Sequence, residues 1–437
     1  MKRREFLIRT AGLAGAIAPI VAHGKSVPCP IPWLSVSGGT SATTQCQSDE
    51  PGTAPQWFID MPDRTWTMPV SNSIFDVRPN PLPPGAEGVA GVTDNWTGGT
   101  ADQELGEFIL PAQGGHGGYY GNEVYALALR EAAPLWRRVW GPSANADILT
   151  NNPGTNTKGD YLDGQPRPVH GWNRPCTTTD GRIFHAGLDG MGSPSGQWST
   201  ACWSFDNRAR TGWTYHGLGI PNPPQPFGSA FSWQAGPGAY DRVTNTVYSA
   251  AQYAVGDGTR SAQGGYSVDV GTNVITIHDW VFPGNPFGGA WSAIAHDLRV
   301  WIVGSNTENR LWILNLNDVA AGWIQKTTSG APSGFVDGVG AVYHQPSSAI
   351  ICWRDTFGAG IRKLSVPADP INGAYVWSEI LPAGSNSVVP TPNPRYPGRS
   401  FSKFQMIEDM GNGQSALVTV NDTQVAATFV YKLPAAV

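Results

Sequence analysis

Charge is scarce in this 437-residue chain: 14% of its residues are Asp, Glu, Lys or Arg, and the formal net charge is -5. A balance this small and slightly acidic supplies no basic field to neutralise phosphates. It argues against nucleic acid and anionic membrane surfaces as partners and leaves neutral or polar ligands. Long apolar runs are missing beyond the N-terminus, so no later segment can cross a bilayer core of roughly 30 Å. Cysteine is limited to five residues. Catalytic signatures are missing too: there is no calcium loop of spaced aspartates, no HExxH, no GxxxxGK[ST] and no GxSxG. Carboxylates such as Asp94, Asp102, Glu104 and Glu107 stand singly. Linear spacing therefore does not show the facing pair that glycoside hydrolysis requires.

What the chain has instead is 54 Gly, 37 Pro and 18 Trp. That composition suits many tight turns around large apolar anchors and disfavours a helical fold. Six short apolar segments recur: EFILPA from Glu107, RIFHAG from Arg182, TVYSAA from Thr246, RVWIVG from Arg299, AIICWR from Ala349 and SALVTV from Ser415. Each is followed by a partner, beginning at Val124, Cys202, Gly265, Leu311, Ile361 and Phe429. Turns such as Thr179-Asp180-Gly181 and Gly411-Asn412-Gly413 precede them, and a further strand carries Trp136, Trp213, Trp323 or Trp377, with Trp280 a looser match. An all-strand unit that repeats and cannot bury its own faces reads as a propeller blade. Six blades are expected, or seven if Val70 to Pro81 pairs elsewhere. The last blade lacks a fourth strand, and Arg64-Thr65-Trp66-Thr67-Met68-Pro69 has the form to supply it and close the ring.

Residues 1–24 carry Arg3 and Arg4 ahead of Phe6 and Leu7, then small residues up to Gly24. This pattern resembles a twin-arginine export signal. Its apolar run of about a dozen residues, broken by Pro19, is too short for an anchor. The expected organisation is a signal over 1–24, an irregular arm over 25–60 and one propeller over 61–437. The expected location is the periplasm or the extracellular space, with no membrane insertion after signal removal. In that setting Cys29 and Cys46 are the expected disulfide pair, and Cys352 a buried hydrophobe.

The stretch from Gly114 through Gly115, Tyr125 and on to Trp136 resembles the kelch and galactose-oxidase-like propellers, with a glycine doublet, an apolar-Tyr pair and a tryptophan. The resemblance implies four-stranded blades over about Gly91 to Pro434. It does not carry activity, because this fold hosts unrelated functions. Galactose oxidase has an adjacent Tyr-His pair among its copper ligands. Here Tyr343-His344 opens a turn, and no histidine follows residue 344. No metal or other cofactor is expected.

Loops from second to third strands, and from each blade to the next, emerge on one face. They are long here, as in Gly141 to Gly171 and Pro382 to Arg399. That face is the expected site. On it, His116, Tyr120 and His170 are the candidates for proton transfer, and Tyr119, Tyr120, Arg167 and His170 for ligand contact. The structural alternative packs the tyrosines on a neighbouring blade and pairs Arg167 with a residue such as Asp163. Two functions follow: recognition of a polysaccharide or protein through this face, or an extracellular carbohydrate-active enzyme of polysaccharide-lyase type.

Overall fold

The structure, a computed structural model, describes residues 53–434 except 95, 115–117, 151–159, 172, 174, 187–200, 219–232, 235–236, 254–261, 279, 281–289, 305–309, 331–337, 384–387 and 424–426. The expected signal and the Cys29–Cys46 pair lie outside the described residues.

The chain opens with a helical turn, α1 (Gln56–Ile59), and a short strand, β1 (Trp66–Thr67). The first sheet is β2 (Thr100–Asp102), β3 (Glu107–Pro111), β4 (Val124–Ala128) and β5 (Trp136–Trp140). After α2 (Asn145–Thr150) the second is β6 (Cys176–Thr177), β7 (Arg182–Ala186), β8 (Ala201–Asp206) and β9 (Trp213–Leu218). The third comprises β10 (Trp233–Gln234), β11 (Gly238–Asp241), β12 (Thr246–Tyr253), β13 (Ala262–Asp269) and β14 (Ile275–His278). The fourth is β15 (Trp291–Ala295), β16 (Val300–Gly304), β17 (Arg310–Asn315) and β18 (Trp323–Ser329). The fifth is β19 (Gly340–His344), β20 (Ala349–Trp353), β21 (Ile361–Ser365) and β22 (Tyr375–Ile380). The last is β23 (Gln405–Ile407), β24 (Ser415–Val420) and β25 (Thr428–Leu433), completed by β1 through Trp66↔Tyr431 and Thr67↔Val430.

Each unit is an antiparallel meander. The innermost strands β2, β6, β11, β15, β19 and β23 touch in succession, and β23 returns to β2. This closed ring of sheets is a β-propeller. The six apolar segments read from the sequence are the second strands, paired with the six expected partners. Residues 70–81 form a single-turn helix at Ile74–Val77 and, among the described residues, no strand.

Burial explains why the second strands read as continuous apolar runs instead of alternating. A blade between two neighbours has both faces covered, and β3, β16, β20 and β24 are buried at every residue. Fourth strands at the rim alternate or are largely exposed, as in β5, β18 and β22. The hydrophobic core is accordingly divided into clusters between successive blades. Tryptophans of the fourth strands lean onto the preceding blade. The Trp136 indole donates to Thr428 Oγ1 at 2.9 Å, Trp377 to Thr328 Oγ1 at 3.1 Å and Trp66 to the Ala359 carbonyl at 3.1 Å. Trp280 differs: it follows β14 and leans forward, donating to the Val319 carbonyl at 3.2 Å. Cys176, Cys202 and Cys352 are buried free thiols, and burial pushes the Cys202 thiol up to about 12, so it stays protonated.

Candidate functional site

The alternation of strands sends second-to-third loops and blade-to-blade connections to one end of the axis and the short turns to the other. At the long-loop end the candidate residues fall into separate groups. His116 lies outside the described residues. Tyr119 is buried, and its hydroxyl and that of Tyr125 both donate to Glu123, the latter at 2.8 Å. Burial raises the pKa of both Glu123 and Tyr119. Tyr120 is half-buried, and its carbonyl accepts the Tyr161 hydroxyl at 2.8 Å. Arg167 is 2% exposed, with Nε donating to the Asp160 carbonyl at 3.1 Å and its guanidinium 5.9 Å from the Tyr161 ring centre. The partner is thus a backbone carbonyl rather than the Asp163 carboxylate, and burial lowers the Arg167 pKa. His170 is 1% exposed, its ring 5.1 Å from that of Trp96.

His170 belongs to a second constellation, drawn from the residues that lead into β2, β6 and β23. Arg399 places its guanidinium 4.2 Å from the Trp96 ring centre and 5.1 Å from that of Tyr396. Tyr396, Arg399, Trp96 and His170 therefore form one chain of ring contacts, half-exposed at the first three and sealed at the last. Tyr396 donates to Glu87 Oε1 at 2.9 Å, which ties the stack to the loop before β2.

Beneath it lies a buried charge cluster. Lys403 Nζ donates to the Arg399 carbonyl at 2.7 Å and to Thr97 Oγ1 at 3.2 Å. Its burial lowers the ammonium pKa to about 7, against the opposing pull of Asp355 and Asp94. Asp94 is raised to about 6, chiefly by burial and despite the Asn393 amide at 2.8 Å and Arg395 at 3.5 Å. Asp355 is raised by burial, opposed by the Asn393 N–H at 2.8 Å. Asn393 is the hub: it also donates to the Asn421 carbonyl at 2.7 Å and accepts the N–H groups of Arg395 and Tyr396. Gly398 adopts φ +84, and a Cβ there would lie 2.1 Å from Arg354 Nη2, so the close approach of loop and guanidinium requires glycine.

Of these residues, the sequence singles out His170 and shows Asp94 only as an isolated carboxylate. Nothing in the local pattern distinguishes Lys403, Trp96, Asp355, Asn393 or Arg399. The one signal is the length of the 382–399 loop, which supplies Asn393, Tyr396 and Arg399. Among the described residues no group of three or more His, Cys, Asp or Glu is arranged to hold a metal ion. Likewise, no described helix is long and apolar enough to cross a membrane.

A second feature is the hollow axis, a cavity of about 370 Å³ lined by all six innermost strands. Alanines line it on four of those strands, at Ala101, Ala239, Ala293 and Ala341, and their small side chains leave the axis open.

No protein-family model matches the chain, and no curated protein matches it. Among solved structures, it is similar to YjhT, at 12% identity and a TM-score of 0.40, over 80% of this chain and 95% of that one. An auxiliary nutrient binding protein from Bacteroides ovatus ATCC 8483 aligns at 10% identity and a TM-score of 0.43, over 85% and 77%. Regucalcin, a calcium-binding protein from Agrobacterium tumefaciens str. C58, aligns at 11% identity and a TM-score of 0.38, over 77% and 88%. Likenesses this remote carry nothing about activity, and the propeller assignment rests on the strand pairing itself.

Proposed function

We propose that this chain is a ligand-binding propeller that acts after export through a twin-arginine signal and recognises a carboxylate-bearing polysaccharide at the long-loop end of its axis. The observation that carries the reading is the Arg399 guanidinium lying over Trp96 and Tyr396, all three half-exposed. Ring faces complement the C–H faces of sugar rings, and a guanidinium stacked on them places a positive charge beside a carboxylate bound there. Arg395, which is exposed, adds a second cation on the same loop. Large aromatic and arginine anchors in a partly enclosed setting are the groups that dominate binding energy at recognition surfaces.

Recognition is favoured over catalysis because, among the described residues, three groups suited to proton transfer are spent or sealed. Tyr119 is committed to Glu123, Lys403 to Thr97 and Arg399, and His170 is buried. Purified mature protein titrated with polygalacturonate, hyaluronate and a neutral dextran tests the reading by calorimetry. The carboxylated chains are expected to bind and dextran to bind more weakly. Trp96→Ala and Arg399→Ala should each cost about 1–3 kcal/mol of affinity without lowering the melting temperature. Equal affinity for dextran, or full binding by both variants, removes the assignment. Appearance of an unsaturated, ultraviolet-absorbing product would instead favour the lyase reading. Retention of an Arg3→Lys, Arg4→Lys chain in the cytoplasm checks the export step.

A further inference from the structure

The axial cavity lies apart from the long-loop stack, and each of its ends is crossed by a tie between non-adjacent blades. At the long-loop end Asn173, leading into β6, donates to the Ala290 carbonyl ahead of β15 at 2.7 Å and so links the second blade to the fourth. At the short-turn end Arg242, following β11, reaches Glu408, following β23, at 2.9 Å. The third and sixth blades stand opposite each other in a ring of six, so this ion pair spans the mouth. Arg242 also donates to Gln345 Oε1 of the fifth blade at 2.9 Å. The span is partly solvent-exposed, with side-chain exposures of 35% and 42% for Arg242 and Glu408. Exposed pairs of this kind contribute little to stability, and this one can open at small cost.

The wall between these ties is polar yet internally neutralised. Glu104 is paired with Arg208 at 2.8 Å, and Asp102 accepts Asn207 Nδ2 at 3.3 Å with Arg208 at 3.6 Å. The Thr100 and Thr177 hydroxyls are 3.0 Å apart and share one hydrogen bond, leaving the accepting hydroxyl its own proton to donate. His296 lines the cavity with its ring, while its Nδ1 is sealed from solvent and has no hydrogen-bond partner among the described residues. Burial holds its pKa down near 4, so the ring is neutral at pH 7. A volume of about 370 Å³ falls in the range of small-molecule sites, roughly 300–1,000 Å³.

We infer that the axial cavity is a second binding site, for a neutral polyhydroxylated molecule of mono- or disaccharide size, entered from the short-turn face past the Arg242–Glu408 pair. Neutral hydroxyls can accept from and donate to the threonine pair. A charged ligand would find every wall carboxylate and arginine named above already paired.

Saturation-transfer NMR of the mature chain with glucose, galactose and maltose at tens of millimolar tests this. Binding of at least one is expected. Ala341→Leu, which grows a side chain into the cavity, is expected to weaken it by at least about tenfold at an unchanged melting temperature. Glu408→Gln, a rim change outside the core, is expected to raise the ligand exchange rate severalfold. No binding by any of the three sugars, or binding undiminished in a folded Ala341→Leu protein, overturns the proposal. Should Ala341→Leu fail to fold, Glu408→Gln decides, and an unchanged exchange rate overturns it.

Discussion

Trp377 shows how one side chain joins two blades. It is 4% exposed, its ring meets Trp291 edge-on at 5.9 Å, and its indole N–H crosses to Thr328. Trp377→Ala removes area, packing and the bond together and is expected to cost about 3–5 kcal/mol. Trp377→Phe keeps much of the area and should cost about half of that, the difference being read by urea denaturation. His185 carries a pH signature at the same scale. It is 2% exposed, and burial lowers its pKa from 6.5 to about 3. Between those values the unfolded chain holds the extra proton. The stability contribution is therefore complete above pH 6.5 and is lost as pH falls through the window, by up to about 1.4 kcal/mol per unit. Asp94, raised to about 6, acts in the opposite sense, so total stability is the wrong observable. The difference between wild type and His185→Gln isolates the histidine: it should narrow steadily from pH 6.5 to 4.5 in matched denaturation series.

Elements differ in how plainly the sequence displays them, and burial decides which are visible. Second and third strands lie between two neighbouring blades, so AIICW and RLWILN stand out as apolar segments. First strands such as β6 (Cys176–Thr177) and β23 (Gln405–Ile407) are two or three residues long, too short to show a period, and they face a hollow axis where polar Thr177 and Gln405 are tolerated. The closing strand was legible because Trp66 repeats the fourth-strand signature at the wrong end of the chain. Its ring packs between Trp353 at 5.3 Å and Tyr431 at 5.1 Å. What the sequence did not display is the second clasp on the same junction: Lys432 of β25, 6% exposed, donates to the carbonyls of Phe58, Ile59 and Met61 around the C-terminal end of α1. A cation at the C-terminal end of a helical turn satisfies carbonyls that would otherwise be orphaned. Trp66→Ala is expected to cost about 3–5 kcal/mol. It should also free the outer edge of β25 for pairing with other chains, visible as concentration-dependent association on size-exclusion chromatography. A destabilised but strictly monomeric variant would mean that the edge remains covered.

At the scale of the molecule, the long-loop site depends on residues about three hundred positions apart. Asn393 holds Asp94, and Lys403 holds Thr97, so no local spacing announces the cluster. Only the ring closure that seats β23 beside β2 brings these segments together. The same closure sets how the site responds to pH. Asp94 near 6 and Lys403 near 7 lie just below and at neutrality, with Asp355, Glu87, Arg395 and Arg399 as the surrounding charges. As pH rises from 5.5 to 8, Asp94 gains a negative charge and Lys403 loses a positive one, so the field under the Arg399 stack becomes less favourable to an anion. A polysaccharide carboxylate titrates below this range and stays ionised throughout. Affinity for polygalacturonate is therefore expected to fall by about three- to tenfold across the window, more steeply at low ionic strength because the stack is partly exposed. Asp94→Asn cannot gain the charge and removes one of the two carboxylates that hold the Lys403 pKa up, so a single step, that of Lys403, should remain and lie at lower pH than in the wild type. An affinity that does not change with pH in both proteins would separate the buried cluster from ligand recognition and leave it as a brace between the first and last blades.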